Sequence, residues 1–473
     1  MRRLIPIYTW NKSIFNFNRT RDILSSKPWF QGVLLLVCVI AAMLLANLPS
    51  TKEFYHSILE TNILIQMSSA DGTVNWVFPH GMTVEKFIND ILMVVFFFTV
   101  GLEIKREIAH GELSSMKKAI TPVIAAIGGV IVPALIYTIV NHGTPASSGW
   151  GIPTATDIAF AVCILTMLGN KVPVAMKVFL TALAIADDLI AILVVALFYG
   201  GSINFQLLSI ALVAIIIALI LGKLGEKRLA PYLFLTLIVW IMFYYSGVHA
   251  TMSGVVMAFL IPSKPRYNKH QYIHKRDRYI ALLDVYGEDT PDEEFPNALQ
   301  KHCLRRLHNV AQRTIDLSYT VEKACSPWVT YFIMPVFALA NAGVCITDLS
   351  YFNVFNFDPV MGSVSMGIFL GLLIGKPLGI SIFTWLAVKL KIGNLPKDTD
   401  WLMFVAVSCL AGIGFTMSIF VDSLSFADQP VEIMRHLRDA GKVAVLMGSL
   451  CAGVMGTIFI RTISRLRKIF KSV

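Results

Sequence analysis

The chain has 473 residues, 56% of them hydrophobic and only 15% charged, with a formal net charge of +10. A water-soluble domain carries more charge and fewer apolar residues, so these totals exclude an ordinary globular enzyme and indicate a polytopic membrane protein. The basic excess lies in short loops between apolar runs with no nucleic-acid-reading motif beside it, which excludes nucleic acid as a partner and assigns the charges to the inner leaflet of a lipid bilayer.

In chain order, a basic N-terminus leads into the apolar run 29–48. At about 20 residues this is long for a signal-peptide core and reads as a retained first helix. Further apolar runs at 83–103, 119–140, 150–168, 174–199, 203–222, 231–245, 247–262, 328–346, 364–388, 401–424 and 442–460 give about 12 transmembrane helices in an all-α polytopic protein. The seventh and eighth are short and separated only by "YSGVHA". With both termini placed in the cytoplasm, the outer segments hold only Lys52, Arg435 and Arg438, while Lys86, Lys376 and Lys442 lie inside or at the rim of a helix. Every other Lys and Arg falls on the inner side, as the positive-inside rule requires. The seven cysteines are scattered and show no CxxC, so neither a disulfide framework nor a zinc site is indicated.

One domain, 1–473, accounts for the chain. Its outer loop, 49–82, contains "NILIQMSSADGTVNWVF", two short β-prone runs around Asp71-Gly72, a type I′ turn signal. A small hairpin is expected there, with edges able to pair with those of a second copy in a homodimer. The long cytoplasmic loop, 263–327, carries the acidic, proline-containing patch "VYGEDTPDEEFP", expected as a flexible surface segment.

Charges inside apolar runs are costly and mark function. They are Asp90, Asp157, Asp187, Asp188 and Lys376. Asp187 and Asp188 lie ~20 Å into a hydrocarbon core of ~30 Å. Asp157 is at least two turns into the fourth helix and Lys376 about midway along the tenth. A single buried pair would suffice to lock two helices together. Four ionisable groups at similar depth indicate instead a hydrated site for a charged solute. Adjacent helical residues point ~100° apart, so one aspartate can face a cavity while the other faces Lys376.

The backbone adds a second signal. "GWGIPTATDIAFA" in helix 4 and "CLAGIGFTMSIF" in helix 11 interrupt apolar spans with Pro153, Gly412 and Gly414. Two interrupted helices in different parts of the chain suggest inverted repeats crossing at mid-membrane, with ions bound where backbone is unwound. Asp157 is suited to balance the positive helix ends and Lys376 the negative ones. Thr154 and Thr156 offer hydroxyl oxygens. Carboxylate and hydroxyl ligands suit a hard cation, and protons compete for the same oxygens. An aspartyl protease would need its carboxylates on two helices, and a prenyltransferase a spaced "DDxxD". A sodium-coupled organic-solute symporter remains the strongest rival, but few polar groups are available for its pocket.

At these residues the chain resembles the NhaA family of bacterial sodium/proton antiporters, a standing example of inverted repeats. The stretches are "FFFTVGLEIKREI", "TPVIAAIGGVIVPALIY", "IPTATDIAFA", "FLTALAIADDLIAI", "ALFY", "SGVHATMSGVV", "ANAGV", "LLIGKPLGI" and "LAGIGFTMSIF", spread from helix 2 to helix 11. The resemblance implies an electrogenic antiporter of the bacterial inner membrane, exporting Na⁺ or Li⁺ in exchange for H⁺ and activated at alkaline pH. It implies a secondary transporter, not an enzyme, with no cofactor. Asp188 then matches the main cation-binding carboxylate and Asp187 its proton-carrying neighbour, paired with Lys376. Thr156 and Asp157 match the interrupted-helix residues beside the site and join Asp187 and Asp188 in the cation/proton-binding set, with Thr156, Asp187 and Asp188 as cation ligands. The family's pH-responsive region maps to Glu103, Arg106, Glu107 and Glu322, and His249 to its "GVHAT" stretch. Where the family pattern places histidines after Glu322, this chain has Lys323 and Ser326, and its inner loop is longer.

Overall fold

The computed structural model describes residues 28–63, 65–68, 75–78, 82–111, 113–201, 203–265, 267–285, 296–346, 354–355, 362–396, 399–426 and 429–472. Among them, nine helices are long and apolar enough to cross a membrane, or up to eleven spans if each of two bent helix pairs counts as one.

The first span, α1 (Pro28–Asn47), is followed by the short helix α2 (Lys52–Glu60). The hairpin then forms as the sequence suggests: β1 (Ile65–Ser68) pairs antiparallel with β2 (Asn75–Phe78), Ile65 opposite Phe78 and Ser68 opposite Asn75. The turn at Asp71-Gly72 lies outside the described residues. Next come α3 (Val84–His110) and α4 (Met116–Val140). The first bent pair is a 3₁₀ segment, Pro145–Thr154, and α5 (Ile158–Met167), at 42° to each other. Then follow α6 (Val174–Phe198), α7 (Phe205–Lys223) and α8 (Leu229–Ser246).

The expected eighth span is shorter than its hydropathy suggests. Gly247 stops α8 in a left-handed conformation (φ 83°), and α9 covers only Met252–Leu260. Nine residues rise about 13 Å, less than half a hydrocarbon core. This short helix is held by close approach to α3. A Cβ at Gly254 would run into the Val94 carbonyl, and one at Gly101 would sit 2.8 Å from the Ala258 methyl. Lys105 finishes the join, donating to the carbonyls of Phe259 (2.8 Å) and Ile261 where α9 ends.

The inner loop is more ordered than its composition suggests. It holds α10 (Lys269–Val285) and α11 (Ala298–Thr314), the latter opened by an Asn297/Gln300 capping box. The acidic patch at 286–295 lies outside the described residues. The ninth span, α12 (Leu317–Asn341), starts well before the expected 328. Asp316 caps it, accepting from the Tyr319 N–H at 3.0 Å, and its first turns are amphipathic. After α13 (Val364–Lys389) come α14 (Trp401–Leu410) and α15 (Phe415–Ser425), the second bent pair, at 53°. The last helix, α16 (Val431–Ser472), has 42 residues against the 19 of the apolar run at 442–460. Hydropathy marks only the part of a helix that touches lipid, and both ends of α16 run on past it.

Two spans contain a π-turn just before an X-Pro pair: Val329–Ile333 before Pro335 in α12, and Gly371–Gly375 before Pro377 in α13. Proline has no N–H to donate and its ring crowds the carbonyl one turn back, so a widened turn resolves the clash. In α13 that turn delivers Lys376.

Without a hydrophobic driving force between helices in lipid, small residues set the closest contacts. At the crossing of α4 and α13, Gly128 and Gly379 meet backbone to backbone, and a Cβ on either would strike the other's carbonyl. Gly379→Val is therefore expected to cost about 1–3 kcal/mol by overpacking. Thermal unfolding in detergent should show a lowered midpoint. Gly200→Ala, where a Cβ would make only ordinary contact at 3.5 Å, should leave the midpoint in place.

Candidate functional site

The two bent pairs cross at their breaks. Residues 155–157 are extended between the 3₁₀ segment and α5, and residues 411–414 separate α14 from α15. The unwound stretches satisfy each other: the Asp157 N–H donates to the Ile413 carbonyl at 2.7 Å, and the Thr156 hydroxyl donates to the Ala411 carbonyl at 2.8 Å. Glycine is needed at the crossing for space, since a Cβ at Gly412 would meet the Leu372 carbonyl and one at Gly414 would lie 3.1 Å from the Ala155 carbonyl.

Asp157 stands where two helix N-termini converge. Its carboxylate accepts the Phe160 N–H of α5 at 3.2 Å and the Thr416 N–H of α15 at 3.1 Å, and it also accepts from the Thr416 hydroxyl. One buried anion thus caps two helices and opposes the positive end of both dipoles, as the sequence suggested. Ser449 of α16 supports the same break, its oxygen accepting from Gly414 N–H (3.2 Å) and Phe415 N–H (3.1 Å).

Lys376 is fully buried, and its ammonium donates to the Asp187 carboxylate and to the Thr156 hydroxyl. It reaches the carbonyl end of α14 only through Thr156, which passes the contact on to Ala411. The expected balancing of negative ends is thus relayed rather than direct. Thr156, read as a cation ligand, has its hydroxyl engaged by Lys376 in this conformation.

Asp187 and Asp188 are each 3% exposed on α6. Asp187 turns one oxygen to Lys376, while its Oδ1 and the Oδ1 of Asp188 are buried without a hydrogen-bond partner. Unpaired carboxylate oxygens are expensive to bury and signal a ligand-accepting site. Asp422 on α15, absent from the residues read from the sequence, is likewise fully buried with both carboxylate oxygens unpartnered. Oxygen donors of this kind suit a proton or a hard monovalent cation.

The residues expected to respond to pH are only partly assembled. Arg106 pairs with Glu322 across α3 and α12, and lies 3.2 Å from Glu107 and 3.7 Å from Glu103. His249 is not with them. It sits in the α8–α9 turn with its Nε2 on the Tyr199 carbonyl, about 16 Å along α6 from Asp188. Asp90 lies in a π-turn of α3, also away from the crossing, beside an Asn89–Asn341 pair that exchanges bonds of 3.0 and 2.8 Å. Thr416, Ser449 and Ser418, whose hydroxyl donates to the Ile152 carbonyl at 2.7 Å, escaped the sequence reading. Their only signal was a hydroxyl in an apolar run, which more often bonds its own helix.

A buried ion pair is most costly when half of it is removed. Lys376→Met strands the Asp187 carboxylate and is expected to destabilise the protein by about 3–5 kcal/mol. The double variant Lys376→Met/Asp187→Leu removes both charges and should recover most of that loss. Thermal midpoints of the two variants in detergent measure the difference.

The family model described as "Na+/H+ antiporter 1" matches residues 22–460. A protein of Helicobacter acinonychis (strain Sheeba) named Na(+)/H(+) antiporter NhaA is 39% identical over 455 residues, covering 94% of this chain and 97% of its own. The protein of the same name from Helicobacter pylori (strain ATCC 700392 / 26695) is 40% identical over 91% of this chain and 92% of its own. That from Shigella dysenteriae serotype 1 (strain Sd197) is 39% identical over 91% and 95%. With a full-length match of this kind laid over the crossed breaks, the chain belongs to the Na⁺/H⁺ antiporter 1 family, that of the NhaA proteins.

Proposed function

We propose that the chain is a secondary transporter exchanging Na⁺ for H⁺, and that residues 1–473 work as one antiporter domain in a bacterial inner membrane with both termini in the cytoplasm. The observation that carries this reading is the pair of unpartnered carboxylate oxygens on Asp187 and Asp188 beside the crossing. The names of the related proteins support the same exchange.

The mechanism follows from competition for those oxygens. Open to the cytoplasm and deprotonated, Asp188 with Asp187 attracts Na⁺ or Li⁺. The cation weakens the hold of Asp187 on Lys376 and can free the Thr156 hydroxyl as a further ligand. The crossed-break unit then turns the site outward, as alternating access in inverted-repeat folds requires. External protons displace the cation and the protonated site returns. Two groups that each carry a proton against one Na⁺ move net charge, so the membrane potential drives export at ~2.3 kcal/mol per charge per 100 mV. At low cytoplasmic pH the carboxyls stay protonated and export stops, which gives activation at alkaline pH. Glu103, Arg106, Glu107 and Glu322 form a charge cluster suited to adjust that response, and His249 a separate one. No cofactor is needed beyond the transported ions.

Everted vesicles test the exchange. Respiration acidifies the interior, and added Na⁺ or Li⁺ should collapse the gradient above neutral pH, read as dequenching of a ΔpH dye. Asp188→Asn, well expressed, should abolish the signal. No response to any cation at any pH in wild type would sink the antiporter reading. The outer hairpin, whose two strands pair with no third strand among the described residues, is proposed as a homodimer contact. Replacing residues 65–78 by a short Gly-Ser linker should convert dimer to monomer in native mass spectra.

A further inference from the structure

A cavity borders the crossing from the lipid side. It is a groove of about 670 Å³ between α1, α5 and α16. Its rim is apolar and exposed: Leu36 on α1, Met167 on α5, Leu450 and Val454 on α16. Along α16 it extends from Leu446 to Arg461, about 22 Å, or most of the depth of a ~30 Å hydrocarbon core. Water entering it would find almost no polar partner. The rim belongs to spans that face the bilayer, so lipid has direct access.

The two ends of the groove differ in chemistry. One end is closed by the exposed cation Arg461, the first charged residue beyond the apolar part of α16 and, in the topology proposed above, at the inner-leaflet interface. The deep wall includes Ile413 and Phe415, which flank the break between α14 and α15, and Ser449, which accepts the N–H groups of Gly414 and Phe415.

We propose that this groove is a specific phospholipid site: one acyl chain lies along α16 against Ile413 and Phe415, and an anionic headgroup sits on Arg461. A basic side chain at the inner end of an interhelical pocket is the expected anchor for an acidic headgroup. The bound chain is also a wall of the break, so its presence limits how far α15 moves against α5. The site is distinct from the one that binds Na⁺, and its occupancy is measured without any transport assay.

The test is native mass spectrometry of the full chain released from nanodiscs of equal phosphatidylglycerol and phosphatidylcholine. Wild type should retain one phosphatidylglycerol with about fivefold preference over phosphatidylcholine, the discrimination expected of a single interfacial arginine. Arg461→Gln should still hold a lipid but lose the preference. Val454→Trp, which puts an indole into the groove at an exposed position, should retain neither lipid at that stoichiometry. Equal retention of the two lipids by wild type, or undiminished retention by Val454→Trp, would overturn the proposal. In proteoliposomes, phosphatidylglycerol should change the Na⁺-driven exchange rate of wild type but not of Arg461→Gln. Equal responses of the two would show that the site plays no part in transport.

Discussion

The fold is organised around the cost of broken helices inside a bilayer. Four helix ends meet at the crossing, each with N–H or C=O groups that lipid cannot satisfy. The structure meets that demand with very few groups. Asp157 closes two N-termini, Ser449 reinforces one of them, and the Thr156 hydroxyl and the Asp157 N–H reach across to the opposite break. The bonds from Thr156 to Ala411, from the Asp157 N–H to Ile413 and from Thr416 to Asp157 run between the two bent pairs, so neither break is fully satisfied without the other. The crossing is therefore a unit, and moving one helix of it requires moving both.

The charges beside it follow a different logic. Asp157 accepts hydrogen bonds from the Phe160 N–H, the Thr416 N–H and the Thr416 hydroxyl. Asp187 has one partner through Lys376, and Asp188 has an oxygen with none. This gradient, from hydrogen-bonded to unpartnered within one small region, separates the group that holds the backbone from those with oxygens left unpaired. Lys376 stands between the two roles. It is bonded both to the Asp187 carboxylate and, through Thr156, to the end of a broken helix. The Asp187 carboxylate is thus linked through Lys376 and Thr156 to the Ala411 carbonyl at the crossing.

Packing around the unit is close because glycine permits it. Gly128 and Gly379 join α4 to α13, and Gly101 and Gly254 join α3 to α9. On the lipid side the packing opens into the groove that ends at Arg461. The same break is thus bounded by buried charged residues on one face and by a lipid-side groove on another.

The sequence by itself determined the class, the approximate spans, the hairpin and four of the buried charges, Asp157, Asp187, Asp188 and Lys376, but it passed over the fully buried Asp422. A charge in an apolar run is conspicuous because its desolvation cost is a local property of composition. Its partner is not local. The sequence put Asp157 near the positive helix ends, but only the tertiary structure made it a cap on two helices at once, since Thr416 lies far along the chain. Hydropathy likewise named an eighth span that the left-handed turn at Gly247 cut to half length, and it missed the ends of α12 and α16 because helical hydrogen bonding continues where lipid contact stops. The site was legible as a set of residue types. Which oxygen is paired, and which is left without a partner, depends on distances between helices that no stretch of sequence contains.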